Sequence, residues 1–218
     1  MVLHLAQRLD VPLRERNRLL LAAGYAPGYG ERSLDEPDMT PVRDAIERLL
    51  RAHEPYPALV VDRRWNIVAS NRGVDFVVRG VAPHLLNAPA NTYRIALHPS
   101  GLAPRIRNLG EWSAHMLTRL RRELDVAPDP ELSALYQEVA AYPGVQATLQ
   151  ERPEPEAIMV VHTLELDDAR LTLFSTVTTF GTARDVTLAE LSIESFFPAD
   201  AESAAALAAG VGELADAE

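Results

Sequence analysis

Hydrophobic residues in the first fifty positions recur at helical spacing. The segments 2–9 and 13–23 each have this spacing and together predict a pair of short helices. Residues 25–39 are rich in Gly, Pro and Asp, which predicts a linker. Thr40 precedes a proline and a new stripe of apolar residues, so a third helix is expected to begin there and to end near Pro55.

The pattern then changes to short runs of β-branched residues. The runs 58–62 and 65–71 are separated by only two arginines, which predicts a β-hairpin. Helical spacing returns in the middle of the chain. It predicts helices at about 72–80, about 104–124 and about 131–141.

Three strand-like runs, 157–166, 171–180 and 186–197, lie near the end of the chain and predict an antiparallel meander. The Ala-rich and acidic residues from Ala199 onward predict a frayed amphipathic helix or a disordered tail. The leading hairpin needs a partner edge, and the meander supplies it. We therefore predict an α+β fold, with a five-stranded antiparallel sheet packed against helices.

Composition narrows the class of protein. The chain has 218 residues, of which 47% are hydrophobic and 24% charged, so we expect one full domain with at most a small appendage. There is no cysteine, no long uncharged apolar stretch and no signal-peptide pattern in the sequence. We therefore expect a cytoplasmic protein without a membrane partner. The net charge is −10, with the acidic excess after residue 125, which disfavours nucleic acid there.

The sequence contains none of the common catalytic motifs, so we expect no enzymatic activity and no cofactor. The histidines have no ligand-like spacing, so we expect no metal site, and we expect each imidazole to be hydrogen-bonded or exposed. The histidines are His4, His53, His84, His98, His115 and His162.

Three features are candidates for a binding pocket. Residues 174–180 carry hydroxyl groups on both faces of a predicted strand, which fits either a pocket wall or a solvated face. Arg94 lies among apolar residues, where its guanidinium could bind a carboxylate ligand or pair with an acidic side chain. Trp112, Met116 and Leu120 recur every four residues and could form either core or pocket wall.

Longer segments resemble known proteins. The hairpin LVVDRRWNIVASN, followed by helices and three antiparallel strands, is similar to the PAS sensor fold. The segments that resemble MmyB-like helix-turn-helix transcription regulators are RERNRLLLAAGYAP (14–27), HEPYPALVVDRRWNIVASN (53–71), ALHPSGLAPRIRNLGEW (96–112) and FSTVTTFGTARDVTLAELSIESFFPAD (174–200). This resemblance implies an XRE-type DNA-binding domain followed by a PAS-like domain that binds a fatty-acid-like ligand.

The resemblance is incomplete at its N-terminal end. An XRE-type domain has five helices in about 60 residues, whereas residues 1–24 match only the last two of them. We therefore expect a truncated DNA-binding domain, no DNA-contacting residues in this chain, and DNA binding only if the upstream helices are present. The expected units are a helix-turn-helix remnant at 1–27, a linker at 28–39, a PAS-like ligand-binding domain at 40–200 and an Ala-rich acidic tail at 201–218.

The function implied is that of a sensor domain. A fatty-acid-like molecule would occupy a cavity between sheet and helices and shift how the N-terminal helices are held, and we expect the chain to form a homodimer. The candidate ligand-binding residues are Val60, Arg94, Trp112, Met116, Leu120, Leu173, Ser175, Val177 and Ile193. The alternative is a ligand-free dimerisation or interaction module whose cavity is filled by its own side chains.

Overall fold

The chain folds around a five-stranded sheet. A computed structural model describes residues 2–150, 160–166 and 169–216. The first three residues of the predicted strand 157–166, the turn residues 167–168 and the last two residues of the chain lie outside the described residues. The elements in chain order are α1 (Val2–Arg8), α2 (Leu13–Ala22), α3 (Thr40–His53), β1 (Ala58–Val61), β2 (Ile67–Ser70), α4 (Arg72–Val77), α5 (Pro83–Leu86), α6 (Thr92–Leu97), α7 (Leu109–Val126), α8 (Pro130–Ala140), α9 (Pro143–Gln150), β3 (His162–Glu165), β4 (Arg170–Thr179), α10 (Val186–Glu190), β5 (Ser192–Pro198) and α11 (Ala201–Asp216).

The strands lie in the order β2-β1-β5-β4-β3, and every neighbouring pair is antiparallel. The predicted hairpin therefore joins the sheet through β5, the last strand in the sequence. Val60 of β1 lies opposite Ile193 of β5, and Val177 of β4 lies opposite Glu194. This topology confirms the predicted α+β, PAS-like fold.

Different helices cover the two faces of the sheet. On one face, α4, α7 and α11 enclose the main core, to which β1 contributes Leu59. On the other face, Ile46 and Leu50 of α3 pack against Val60 and Ile193. Both faces of β1 are thus covered, so all four of its residues are buried. A strand of this kind shows a continuous apolar run instead of alternation.

The predicted strand 186–197 is wrong in its first half, because residues 186–190 form the helix α10. The carboxylate of Asp185 accepts a hydrogen bond from the backbone nitrogen of Thr187 at 3.0 Å and so caps this helix. The strand begins only at Ser192. An aspartate before this segment is equally common in a turn that leads into a strand. Asp185 therefore does not show from the sequence whether a helix or a strand follows.

The middle of the chain contains more helices than the hydrophobic spacing predicts. The helices α5 and α6 have only four and six residues, too few for a 3.6-residue period to show. The predicted helix at about 104–124 begins instead at Leu109, because a short 3-10 helix occupies Ala103–Arg105.

The segment expected to be a frayed helix or a disordered tail is the helix α11, which packs on the domain. Its Leu207 and Val211 are buried in the main core, and the helix contacts both β4 and α4. The carboxylate of Asp200 caps the helix by accepting from the backbone nitrogen of Ser203 at 2.7 Å. Leu207 and Val211 are four residues apart, so they give the helix one apolar face that needs a partner.

The predicted helical pair at the N-terminus is confirmed as α1 and α2. Arg14 of α2 forms a two-pronged ion pair with Glu190 of α10, with Nε to Oε1 at 2.6 Å and Nη2 to Oε2 at 2.9 Å. The linker adds a backbone contact, because the nitrogen of Val186 donates to the carbonyl oxygen of Gly30 at 2.7 Å. None of the described helices has the length and apolar character needed to cross a membrane.

Candidate ligand-binding site

A cavity of about 100 Å³ lies between the inner face of the sheet and the helices α4, α6 and α7. All five strands contribute to its wall. Its lining residues are mainly aliphatic and aromatic and include a few polar groups: Pro57, Leu59, Trp65, Ile67, Val74, Val77, Val78, Thr92, Tyr93, Ile95, Ala96, Leu102, Ile106, Trp112, His115, Met116, Arg119, His162, Leu164, Leu173, Glu194 and Phe196. An apolar cavity with a few convergent polar groups is typical of a small-molecule site.

The helix α7 supplies one side of the cavity. Trp112, His115, Met116 and Arg119 face it at intervals of three and four residues, which places them on one side of a helix. The hydroxyl of Tyr93, on α6, donates to the backbone carbonyl of Met116 at 3.3 Å and fixes α6 against α7. Burial raises the pKa of this phenol, so it stays protonated as a donor.

The turn of the β1-β2 hairpin places Trp65 in the wall. Trp65 has a φ of +64°, an uncommon value for a bulky residue. The carboxylate of Asp62 stabilises the turn by accepting from the backbone nitrogens of Arg64 at 2.8 Å and Asn66 at 2.9 Å. Aspartate is common in such turns because its short side chain reaches the backbone two residues on.

A charged cluster lies at the Trp65 end of the cavity. The guanidinium of Arg119 donates to Glu194 at 3.1 Å, lies 3.7 Å from a carboxylate oxygen of Glu123, and stacks 4.0 Å above the Trp65 ring. Trp65 itself donates from Nε1 to Glu123 at 2.8 Å, and the Ser175 hydroxyl donates to Glu194 at 3.2 Å. One arginine thus faces two carboxylates, both of whose pKa values are raised by burial.

The other end of the cavity is formed by aromatic rings. The ring of His162 lies 4.3 Å from that of Trp112 at an interplanar angle of 36°, and 5.5 Å from Phe196 in an edge contact. Burial lowers the pKa of His162 to about 4, so its imidazole is neutral at physiological pH. Its Nδ1 is buried and has no hydrogen-bond partner among the described residues. This departs from the expectation that every imidazole is hydrogen-bonded or exposed.

Three of the sequence-predicted site residues, Trp112, Met116 and Leu173, line this cavity. Ser175 is on the same sheet face and reaches the cavity indirectly, through its hydrogen bond to Glu194. Leu120 is on the same helix but is fully buried in the main core and does not reach the wall.

The remaining predicted residues lie elsewhere. Val60 and Ile193 form a cross-strand pair on the opposite face of the sheet, under α3. Val177 shares the inner face but is 42% exposed. Arg94 forms a bidentate ion pair with Glu138 of α8, at 2.9 and 2.7 Å, with both side chains partly exposed at the surface. Of the two alternatives for Arg94, the structure therefore shows the pairing with an acidic side chain.

Sequence reasoning missed the polar residues Arg119, Glu194 and His162. Arg119 is three residues after Met116 and so shares its helix face, but an arginine there also suits a solvated helix edge. Glu194 and His162 each occupy an inward position of a strand. The sequence could have indicated them only as polar residues at strand positions that alternate with exposed ones and so face the core. This requires the correct strand register, because a shift of one residue exchanges the two faces.

Within the residues that the structure describes, no group of three or more His, Asp or Glu side chains could hold a metal ion. The arrangement of the cavity is that of a binding site: an apolar middle, a charged cluster at one end and a neutral imidazole at the other.

Comparison with known proteins agrees with this geometry. A family model described as the MmyB-like transcription regulator ligand binding domain matches residues 42–209. The match spans the sheet, the cavity and the first half of α11. No curated protein matches the chain.

Proposed function

This chain belongs to the family of MmyB-like transcription regulator ligand binding domains, and from that premise we propose that it is a sensor that binds a fatty-acid-like small molecule in the cavity beneath α7. The observation that carries the proposal is the cavity itself, which is lined mainly by apolar side chains of the inner sheet face and of the helices α4, α6 and α7. Contact between such a wall and an alkyl or acyl chain is favourable, because it removes apolar surface of both from water.

The volume limits the ligand. Engineered apolar cavities of about 150 Å³ bind molecules the size of benzene, so a cavity of about 100 Å³ accepts a short alkyl chain. A longer acyl chain requires side chains to move. Met116 is the most adaptable residue of the wall, because its unbranched thioether chain has three rotatable bonds.

A chain of ion pairs supports coupling between the cavity and the N-terminal helices. Trp65 lines the cavity. Arg63, two residues before it in the hairpin turn, pairs with Asp129 at 2.7 Å and lies 3.9 Å from Glu190. Glu190 in turn binds Arg14 of α2. We propose that ligand occupancy shifts the hairpin turn and thereby the position of α1 and α2, which would belong to a DNA-binding domain. Such a shift requires that the ligand bind the two arrangements with different affinities.

Extraction of ligand from protein purified from its native source, followed by mass spectrometry, tests the proposal. Wild-type protein should release one defined small molecule with an alkyl or acyl chain. Ala96→Leu, which adds methyl groups to the cavity wall, should release much less. Arg94→Ala, two residues earlier on α6 and outside the cavity, should behave as wild type. Solvent extracts without ligand from all three proteins would contradict the proposal and favour the dimerisation module.

A further inference from the structure

The carboxylate of Glu194 has one oxygen without a protein partner. The hydrogen bonds from Arg119 and Ser175 both go to Oε1, at 3.1 and 3.2 Å. Within the residues that the structure describes, Oε2 accepts no hydrogen bond, although nine-tenths of the side chain is buried. Oε2 retains some accessible surface, and Glu194 is a residue of the cavity wall. A ligand in the cavity can therefore reach this oxygen.

The guanidinium of Arg119, which also lines the cavity, has hydrogen-bonding capacity to spare. Its bond to Glu194 uses Nη1, and its Nε lies 3.7 Å from Glu123, beyond hydrogen-bond distance. Its Nη2 has no hydrogen-bond acceptor among the described residues, while the plane of the group stacks 4.0 Å above the Trp65 ring. A guanidinium held by stacking, with free N–H donors in an apolar cavity, suits a carboxylate.

The charge of the cluster requires a proton when a carboxylate binds. The ligand would bring a third carboxyl group to one guanidinium, which already faces Glu194 and Glu123. Burial raises the pKa of both glutamates, so the site favours their protonated form. A protonated Glu194 carries the O–H on Oε2, since Oε1 already accepts two hydrogen bonds. Two carboxyl groups in contact are stable when they share one proton.

We propose that Arg119 and Glu194 together bind the carboxylate head group of the ligand, with the guanidinium donating its free N–H groups and the Glu194 carboxyl donating its proton from Oε2. This inference rests on the proposed fatty-acid-like ligand and specifies how it is oriented: the head group lies at the Trp65 end and the alkyl chain runs toward Trp112. Because binding needs the protonated form of Glu194, the affinity of the sensor for its ligand falls as the pH rises.

The other titratable groups around the cavity keep their charge above about pH 6.5. Burial lowers the pKa of His115 from its ordinary value and that of His162 to about 4, so both imidazoles are neutral there. Burial raises the pKa of Tyr93, so its phenol stays protonated. Glu194 and Glu123 are the remaining groups whose charge changes between about pH 6.5 and 9, and Glu123 does not line the cavity.

The first test compares hexanoate with hexanamide, its neutral analogue of the same shape, on the full 218-residue chain. Binding is followed by the NMR signal of the Met116 methyl group, in the cavity wall. At pH 6.5 hexanoate should bind about 10-fold more tightly, because it gains a charge-assisted hydrogen bond from Arg119. Equal affinities would overturn the head-group site but leave the ligand-binding function intact. Failure of both probes to perturb Met116 would contradict the proposed function as well.

Arg119→Gln tests the cation. It should lower hexanoate affinity about 10-fold and leave hexanamide affinity unchanged, so the preference between the probes is lost. Arg122→Gln is the matched control, because Arg122 lies three residues later on α7, is exposed and does not line the cavity. It should retain the preference. An unchanged preference in Arg119→Gln would overturn the role of Arg119.

The second test follows hexanoate affinity between about pH 6.5 and 9, where the probe itself remains ionised. In wild type the affinity should fall by up to about 10-fold per pH unit as Glu194 ionises, since one proton is needed for each ligand. Glu194→Gln offers an amide N–H at the position of Oε2 at every pH. It should make the affinity independent of pH and tighter than wild type at pH 9, which the loss of a merely structural side chain would not do.

Glu123→Gln should retain the fall in affinity with pH. If Glu123→Gln abolishes this fall and Glu194→Gln does not, the proton belongs to Glu123 and the assignment to Glu194 is overturned. Should the cavity variants fail to fold, calorimetry of wild type at pH 8 in two buffers of different ionisation enthalpy counts the protons taken up on binding. Uptake with hexanoate and none with hexanamide is expected, and no uptake with hexanoate would overturn the proposal.

Discussion

Glu194 is the most deeply buried carboxylate of the charged cluster. It lies on the central strand β5, where its carboxylate accepts hydrogen bonds from Arg119 and Ser175. Its desolvation outweighs the attraction of Arg119, so the pKa of Glu194 is raised above the usual 4.5. The folded protein therefore holds a proton on this group at pH values where the unfolded chain has released it.

This shift predicts a pH dependence of stability. A raised pKa means that the contribution of Glu194 is fully present below about pH 4.5 and is lost as the pH rises through the raised value. Glutamine cannot titrate, so the free energy of unfolding of wild type minus that of Glu194→Gln should decrease as the pH rises in this window. Urea denaturation at a series of pH values measures the difference.

Glu138→Gln is the control of opposite sign. The hydrogen bond from Arg94 lowers the pKa of Glu138, so its contribution is present above the usual value and is lost as the pH falls. The free energy of unfolding of wild type minus that of Glu138→Gln should therefore increase as the pH rises. A flat curve for Glu194→Gln would show that this carboxyl titrates alike in the folded and unfolded chain.

The identity of individual cavity residues is the feature that the sequence predicts least well. Helical spacing places Trp112 and Met116 on one helix face, and both line the cavity. Val60 and Ile193 are also apolar strand residues, but they face α3 on the other side of the sheet. The sequence does not show which face of a strand that is covered on both sides meets the cavity. The single register of β1 against β5 decides this, and it depends on tertiary pairing.

At the scale of elements, α11 shows how packing converts a weak sequence pattern into a defined helix. The Ala-rich segment has few large side chains, yet its small residues allow a close approach to α4. A Cβ atom added at Gly210 would clash with the ring of Phe76, a buried residue. Composition suggested a frayed end, because a sequence of small residues does not show what it approaches.

We predict that Gly210→Ala destabilises the protein by about 1–3 kcal/mol, since overpacking against the Phe76 ring outweighs the better helix propensity of alanine. Gly212→Ala, two residues further on, meets nothing within 4 Å and should stabilise the protein by about 0.5–1 kcal/mol. Thermal and chemical denaturation of the two variants gives both numbers. If the two substitutions have the same effect, α11 does not dock on α4 as described.

The predicted elements were most accurate where local signals and tertiary structure agree. The hairpin β1-β2 has both a turn-bonding aspartate and two apolar runs, and the prediction for it was correct. The segment 186–190 has strand-like residues, but Asp185 caps a short helix there. The capping hydrogen bond needs only one residue, so hydrophobic periodicity does not detect it.

At the scale of the whole molecule, a small set of side chains in the part of the chain that the structure describes attaches the N-terminal helices to the ligand-binding domain. Arg14 binds both Glu190 and Glu31, and Asn17 donates to the carbonyl oxygen of Tyr29 at 2.9 Å. Several leucines of this region remain exposed, among them Leu9 at 75%. Such an attachment has a low free energy of opening, which is what the proposed coupling between ligand binding and these helices requires.

Glu190→Ala should therefore loosen α1 and α2 without unfolding the sheet. The lost ion pair is partly buried, with about a fifth of each side chain exposed, and a contribution of about 0.5–1 kcal/mol corresponds to amide hydrogen exchange about 2- to 5-fold faster in these helices. Exchange in the sheet strands should not change. Glu15→Ala breaks the ion pair with Arg18, which lies within α2 and does not connect it to the domain. This control should leave amide hydrogen exchange in α1 and α2 as in wild type.

The same variant tests the transmission of ligand binding. In wild type, a bound alkyl ligand that shifts Trp65 should alter exchange in α2, because Arg63 and Glu190 connect the hairpin turn to Arg14. In Glu190→Ala, amide hydrogen exchange in α2 should no longer respond to the ligand. The free energy of ligand binding should change by no more than the coupling free energy that the variant has lost. An undiminished response in this variant would show that the signal reaches α2 by another route, such as the backbone hydrogen bond between Val186 and Gly30.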